Sequence, residues 1–172
     1  MAKIPTQLVG EILSTNEAEA MQLQRKSNFG EMVYGKVQYS LSEGLYLVRN
    51  GKIDVFQRGK KVGFNDLIVK FKRIDGKIQL KYPVFKDLRD KGYVVKTALK
   101  FGADFRVYPK GKKPGKEHAK WIVFVEHESK GIKWHEFSAK NRVAHSTKKK
   151  LLLAILDEES KPIYYEVSWV KT

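Results

Sequence analysis

The sequence predicts a mixed fold of the α+β or α/β class, with a small mixed N-terminal domain over residues 1–82. Residues 83–172 are predicted to form a C-terminal domain with a central mixed β-sheet flanked by helices. Two observations predict this organisation. A helix-start pattern begins at Pro83, after a glycine-containing mixed region, and the chain closes with two β-rich segments separated by a polar turn.

The N-terminal domain is predicted to contain short strands at residues 7–12 and 32–37. Ser40 and Glu43 have the spacing of a capping box, in which the two residues bond each other's backbone amides at a helix start. Asn50 and the glycine after it are expected to end that helix.

Two further helices are predicted near the domain boundary. Asn65 is expected to cap a helix that carries apolar residues at 67, 68 and 71. Pro83 suits the first turn of the next helix, and Gly92 suits its C-terminal cap.

The remaining C-terminal elements follow from apolar patterning. A helix is predicted at about residues 138–145. Periodicity alone allows helix or strand at 151–156, but its short length and the polar turn after it favour a strand. The predicted strands are residues 93–96, 104–108, 121–126, 151–156 and 163–170.

Composition excludes several classes of protein. The 172 residues include no cysteine, which excludes disulfide scaffolds, thiol catalysis, iron–sulfur clusters and cysteine-based zinc sites. The 34 Lys and Arg residues against 19 Asp and Glu residues give a net charge of +15, which attracts polyanions. Nucleic acid is therefore the default partner.

The sequence gives no indication of a membrane segment. Its longest apolar run, residues 151–156, is far shorter than the roughly 20 residues of a spanning helix. The first residues also lack the apolar core of a signal peptide. We therefore expect a soluble, cytoplasmic protein without a membrane partner.

Three basic segments carry groups that could do chemistry, at residues 101–108, 109–121 and 142–150. His118 lies where a glycine-containing loop meets a strand, and imidazole can donate or accept a proton near neutral pH. The alternative is an ordinary loop histidine. The other histidines are equally available on composition, and none belongs to a recognisable metal motif.

Tyr108 and the lysines at 148–150 also have two interpretations each. A tyrosine at a strand end is usually a partly buried core residue, and a lysine run is usually a solvated strand entrance. However, alternate residues of a strand point to opposite faces, so one lysine could face a cleft. Its ammonium could then stabilise the charge of a pentavalent phosphorane.

A tyrosine, a histidine and a lysine, without a cofactor or a metal-ligand set, suit the cleavage of RNA by its own 2′-hydroxyl. One group takes the 2′-hydroxyl proton, another protonates the 5′-oxygen, and a cation stabilises the phosphorane. The products would be a 2′,3′-cyclic phosphate and a 5′-hydroxyl. DNA lacks the nucleophile, so the chemistry itself would select RNA.

The segments FGADFRVYPKG, PGKEHAKW, RVAHSTKKKLLLAILDEE and IYYEVSWVK, in this order, resemble the archaeal tRNA-splicing endonucleases. The resemblance is strong over residues 83–172 and weaker over 1–82. It implies a nuclease-like C-terminal domain and cleavage of precursor tRNA at bulge–helix–bulge splice sites.

The resemblance also implies roles for individual residues. By position, Tyr108 resembles the tyrosine that acts as the family's general base, and His118 resembles the histidine that acts as its general acid. Lys149 resembles the lysine that stabilises the transition state. Arg142 matches an arginine that stacks on an extruded bulge base. Trp169 stands where many members carry a second arginine; it could stack on the same base, or be hairpin core.

The Trp169 ending and the HSTKKK segment resemble catalytic subunits of the crenarchaeal type, which assemble with a separate structural subunit into an α2β2 heterotetramer. A homotetramer is the alternative. Asp157, Glu158 and Glu159 match a turn that docks on an opposing subunit, although an acidic solvated turn would look the same.

Two other functions remain open from the sequence. A non-catalytic RNA-binding or structural subunit of the same assembly would be expected to lack the Tyr/His/Lys set. A metal-dependent DNA endonuclease would need a carboxylate cluster, for which Asp104 and Glu117 are the candidates.

Overall fold

The computed structural model describes residues 2–172, and the chain divides into two compact units, Met1–Tyr82 and Pro83–Thr172. Each unit contains a mixed β-sheet with helices. The mixed fold class predicted from the sequence is confirmed.

The first unit is built on a sheet with the strand order β3-β4-β2-β1-β5-β6, in which β1 and β5 are parallel and the other neighbours antiparallel. Within residues 2–77 the elements are β1 (Ile4–Val9), β2 (Ile12–Thr15), α1 (Ala18–Ser27), β3 (Glu31–Val33), β4 (Lys36–Tyr39), α2 (Leu41–Arg49), β5 (Ile53–Gln57), β6 (Lys60–Val62) and α3 (Phe64–Ile74).

The strands predicted at residues 7–12 and 32–37 each prove to be parts of a hairpin. Gly10, with φ of 60°, turns the chain between β1 and β2, and Tyr34 and Gly35, with φ of 47° and 76°, turn it between β3 and β4. Because the β pattern continues across each tight turn, the sequence does not show where one strand ends and the next begins. Helix α1 is not predicted from the sequence.

The capping box at the start of α2 is confirmed. The Glu43 amide donates to the Ser40 hydroxyl at 3.3 Å, and the Ser40 amide donates to the Glu43 carboxylate at 2.9 Å. The other carboxylate oxygen accepts from the Gly30 amide at 3.0 Å. The buried Glu43 therefore also holds the segment before β3 against the start of α2.

The predicted cap of α3 is wrong, because the cap position is Gly63 and Asn65 lies inside the first turn. The predicted apolar side is present, with Leu67 and Phe71 fully buried. The face of α3 opposite those two residues carries Asp66, Lys70 and Arg73, together with an exposed Val69.

The next helix, α4 (Ile78–Asp90), begins five residues before the predicted start at Pro83. The Asp75 carboxylate accepts from the Lys77 amide at 2.9 Å and from the Lys81 ammonium at 2.7 Å, and so stabilises an extra first turn. Pro83 lies inside the helix, where it lacks the amide of one helical hydrogen bond.

The second unit is built on a sheet with the order β11-β10-β9-β8-β7, in which β9 and β10 are parallel and the other neighbours antiparallel. After α4 its elements are β7 (Val94–Ala98), a 3₁₀ turn (Leu99–Phe101), β8 (Ala103–Tyr108), β9 (Trp121–His127), α5 (Trp134–Ser146), β10 (Lys150–Leu156) and β11 (Pro162–Val167). The strand interpretation of residues 151–156 is confirmed.

Two bounds in this unit differ from the predictions. Helix α5 begins four residues earlier than expected, where the Lys133 amide donates to the Glu136 carboxylate. Strand β11 ends at Val167, three residues earlier than expected, so that Trp169 lies beyond the sheet. Among residues 2–172, no helix is long and apolar enough to cross a membrane.

Candidate active site

The three residues predicted to carry chemistry lie around one end of the second sheet. Strand β8 ends at Tyr108, and its neighbour Val107 is paired with Trp121, the first residue of the antiparallel β9. Trp121 is also paired with Lys150, the first residue of the parallel β10. The end of β8 and the starts of β9 and β10 therefore meet.

Two backbone hydrogen bonds connect these three segments. The Lys120 amide donates to the Val107 carbonyl at 2.9 Å, and the Lys150 amide donates to the Lys120 carbonyl at 3.0 Å. Tyr108 and Lys149 are each one residue from this row of bonds, and His118 is two residues from it. The topology thus brings together residues that are 10 and 31 positions apart in the sequence.

The Tyr108 ring is fixed by packing in the core. It is 4% exposed and packs in a small buried cluster with Val94 and Ala119, the residue that follows His118. The Arg106 guanidinium lies 6.0 Å from the ring centroid. The Tyr108 ring is therefore part of the core, as expected for a tyrosine at a strand end. Only its hydroxyl could take part in chemistry.

His118 lies on the exposed loop between β8 and β9. Gly111 and Gly115 have φ of 78° and 84°, and an ion pair at 3.0 Å joins Lys112 to Glu117. Within residues 2–172 the His118 imidazole has no hydrogen-bond or ion-pair partner, which leaves both ring nitrogens available to a ligand.

The three consecutive lysines have different environments. Lys148 is exposed on a left-handed turn, with φ of 57°. Lys150 is exposed and forms an ion pair at 2.9 Å with Glu166. Lys149 is half-buried: its ammonium donates to the Thr147 carbonyl at 2.9 Å and lies 5.6 Å from the centre of the Phe101 ring.

Glu166 is a polar residue of this region that sequence reasoning missed. Its carboxylate accepts hydrogen bonds from the Trp121 indole at 2.7 Å and from Lys150 at 2.9 Å. The bond from Trp121, followed by that from Lys150, holds the pKa of the Glu166 carboxyl below its usual range. The carboxylate of Glu166 therefore neutralises the charge of Lys150. Lys149, by contrast, has no carboxylate partner within residues 2–172.

The two residues predicted to hold a base lie near the end of α5. Arg142 is exposed on that helix, and the Trp169 indole packs edge-on against the His145 ring, with centroids 4.3 Å apart. Trp169 is 61% exposed, so the hairpin-core interpretation is wrong. His145 is three residues from Arg142, on the same side of the helix. Sequence reasoning did not assign this contact, since it depends on where β11 ends.

The acidic turn lies at the opposite end of β10, about 20 Å along the strand from Lys150. The Asp157 carboxylate accepts from the Glu159 and Lys161 amides, both at 2.9 Å, and so shapes the turn. Glu159 pairs with Lys161 at 2.7 Å. The Glu158 side chain is 79% exposed, and its carboxylate lies 4.0 Å from the His127 ring.

The carboxylates considered for a metal site are not grouped. Asp104, at the start of β8, accepts from the Val125 amide at 2.7 Å, whereas Glu117 pairs with Lys112 beyond the other end of that strand. Over residues 2–172 no three His, Asp or Glu side chains form a cluster able to hold a metal ion.

Comparison with known proteins identifies the family of both units. The family model described as the tRNA intron endonuclease catalytic C-terminal domain matches residues 78–165, and that for the tRNA intron endonuclease N-terminal domain matches residues 4–68.

Similar proteins include three named tRNA-splicing endonuclease. That of Thermococcus onnurineus is 41% identical over 158 residues, 92% of this chain and 91% of the relative. That of Nanoarchaeum equitans is 42% identical over 76% of this chain and 88% of the relative. That of Methanothermobacter thermautotrophicus is 36% identical over 98% and 99%, respectively. With both domain models matched in order and this similarity over most of its length, the chain belongs to the tRNA intron endonuclease family.

Proposed function

We propose that this chain is the catalytic subunit of a tRNA-splicing endonuclease, which cleaves precursor tRNA at bulge–helix–bulge splice sites without a metal ion. The observation that carries the proposal is the meeting of Tyr108, His118 and Lys149 at one end of the second sheet. Family membership supports the substrate class.

In the proposed reaction, Tyr108 as the phenolate accepts the proton of the 2′-hydroxyl, whose oxygen attacks the adjacent phosphorus. The bond from phosphorus to the 5′-oxygen breaks, and His118 as the imidazolium gives that oxygen a proton. Lys149 stabilises the charge that develops on the non-bridging oxygens. The products are a 2′,3′-cyclic phosphate and a 5′-hydroxyl.

The placement of Lys149 supports its role over that of its neighbours. Its ammonium is oriented by the Thr147 carbonyl and has no carboxylate partner within residues 2–172, whereas Lys150 is compensated by Glu166. A cation that is already oriented stabilises a transition state without reorganising during the reaction.

We further propose that Arg142 and Trp169 hold an extruded base of the bulge. The indole is supported edge-on by His145, which leaves it 61% exposed for stacking. Bulged bases are accessible in this way, while the narrow major groove of the RNA helix excludes side chains.

Replacement of Trp169 by alanine is expected to weaken binding of a bulge–helix–bulge RNA by about 1–3 kcal/mol, because one base–aromatic stack is lost. Equilibrium binding to a 2′-deoxy, uncleavable RNA measures this loss. The matched control is Trp134→Ala, since Trp134 is 83% exposed at the other end of α5. An equal loss of affinity in both variants would argue against the clamp.

Two cuts per precursor require two copies of the Tyr/His/Lys set, so we propose an assembly with two catalytic chains. Strand β11 forms an edge of its sheet and exposes Ile163 by 49% and Tyr165 by 55%, which favours association along this edge. We propose an α2β2 heterotetramer with a separate structural subunit, in which Glu158 and Glu159 contact the opposing subunit. A homotetramer is the alternative, and the mass of the native complex separates the two.

A non-catalytic RNA-binding subunit of the same assembly is the second candidate function. It would need none of the three groups at the sheet end. The presence of Tyr108, His118 and Lys149 in one region therefore favours the catalytic subunit.

Cleavage of a bulge–helix–bulge RNA in EDTA, with and without a candidate structural subunit, tests the proposal. We expect full activity in EDTA, products ending in 2′,3′-cyclic phosphate and 5′-hydroxyl, and no cleavage when the attacking nucleotide is 2′-deoxy. Inactivation by EDTA, or products with a 3′-hydroxyl, would refute the mechanism.

A further inference from the structure

The first unit carries a basic groove that the proposed reaction does not use. It has a volume of about 710 Å³ and lies between the β5–β6 hairpin and α3. Its ionisable lining is five cations and one carboxylate: Arg58, Lys60, Lys61, Lys70, Arg73 and Asp66. The formal charge of this lining is therefore +4.

The charge is concentrated in this groove. Residues 1–82 contain 14 basic and 8 acidic residues, a net charge of +6, and five of the 14 basic side chains line the groove. Lys61 forms an ion pair with Asp54 at 3.0 Å. Within residues 2–172 the other four cations form no ion pair, so their charge is available to a ligand.

Local structure explains why the cations share one surface. The turn between β5 and β6 is formed by Arg58 and Gly59, with φ of 50° and 76°, so the hairpin tip presents Arg58 and Lys60 together. On α3 the spacing of residues 66, 69, 70 and 73 places them on one helical face. Leu67 and Phe71 are buried on the other face and fix the orientation of the helix.

We propose that this groove binds the phosphate backbone of the precursor tRNA at a segment outside the bulge–helix–bulge. The inference rests on the proposed function for its substrate. The cleavage and clamp residues all belong to the second unit, whereas the groove belongs entirely to the first. An open groove lined by lysine and arginine suits an extended chain of phosphates, and such contacts position RNA without reading its sequence.

Binding as a function of salt concentration tests the groove with two RNAs, a full-length precursor tRNA and a minimal bulge–helix–bulge RNA. The variant is Lys60→Gln with Lys70→Gln. Its control is Lys52→Gln with Lys72→Gln, which makes the same charge change in the same unit outside the groove.

We expect the groove variant to bind the full-length RNA more weakly. The slope of log K against log salt concentration should decrease in magnitude by about 2, or about 1 for each lost phosphate contact. Its affinity for the minimal RNA, and the rate constant for cleaving it, should equal those of the control.

Several outcomes would overturn the inference. The first is an unchanged salt slope for the full-length RNA, and the second is an equal loss of affinity for both RNAs. The third is a change in the mass of the native complex while RNA binding is unchanged, which would show that the groove contacts protein. The proposed function fails separately, if the unaltered protein does not cleave the minimal RNA.

Discussion

Replacement of His118 by alanine is expected to slow cleavage by about 100- to 10,000-fold while leaving affinity for the RNA nearly unchanged. The imidazole is assigned to protonate the leaving 5′-oxygen, and it makes no hydrogen bond or ion pair within residues 2–172 that its loss would break. Single-turnover cleavage and binding to an uncleavable RNA measure the two quantities.

A modified substrate separates proton donation from other effects of the His118 replacement. A sulfur atom in place of the 5′-oxygen leaves as a thiolate and needs little protonation, so it should restore most of the rate of His118→Ala. His127→Ala is the control, because His127 ends β9 at the opposite end of the sheet. If the sulfur substrate is cleaved as slowly as the normal one, His118 is not the general acid.

Replacement of Lys149 by glutamine is expected to slow cleavage by about 100- to 1,000-fold, the usual cost of removing one oriented donor to a developing oxyanion. Glutamine keeps a polar side chain of moderate length but removes the charge. The affinity for uncleavable RNA should fall little, because one phosphate contact is a small part of the total. Single-turnover rate constants with saturating enzyme provide the measurement.

The neighbouring lysines are matched controls for Lys149. Lys148→Gln and Lys150→Gln make the same change of charge one residue away, and Lys150→Gln also breaks the ion pair with Glu166. We expect both to retain rates within about tenfold of the unaltered protein, since neither is assigned a contact in the transition state. Equal damage from all three replacements would show that total charge, rather than an oriented ammonium, accounts for the effect.

The parts of the fold that depend on local chemistry could be predicted from the sequence. The capping box of Ser40 and Glu43 needs only residues three apart, and it is present as expected. The start of α4 was misplaced because Pro83 looks like a first-turn residue, whereas the Asp75 cap and its contact with Lys81 sustain the helix from Ile78.

The residues of the candidate site could be predicted only as far as sequence motifs indicate them. The resemblance supplied Tyr108, His118 and Lys149, and the order of strands explains why residues far apart in the chain can meet. The different environments of Lys149 and Lys150 depend on Glu166 of β11, which bonds both Lys150 and Trp121. No local pattern reports such a contact.

Two backbone hydrogen bonds join Val107, Lys120 and Lys150. Because they fix the end of β8 and the starts of β9 and β10, the spacing of these strands does not depend on the length of the loop between β8 and β9. His118 is attached two residues before that row, at the end of the loop. Residues can therefore be inserted or removed around Gly111 and Gly115 without breaking the backbone hydrogen bonds next to Tyr108, His118 and Lys149. In evolutionary terms, the loop can change in length while Tyr108, His118 and Lys149 keep their positions relative to the sheet.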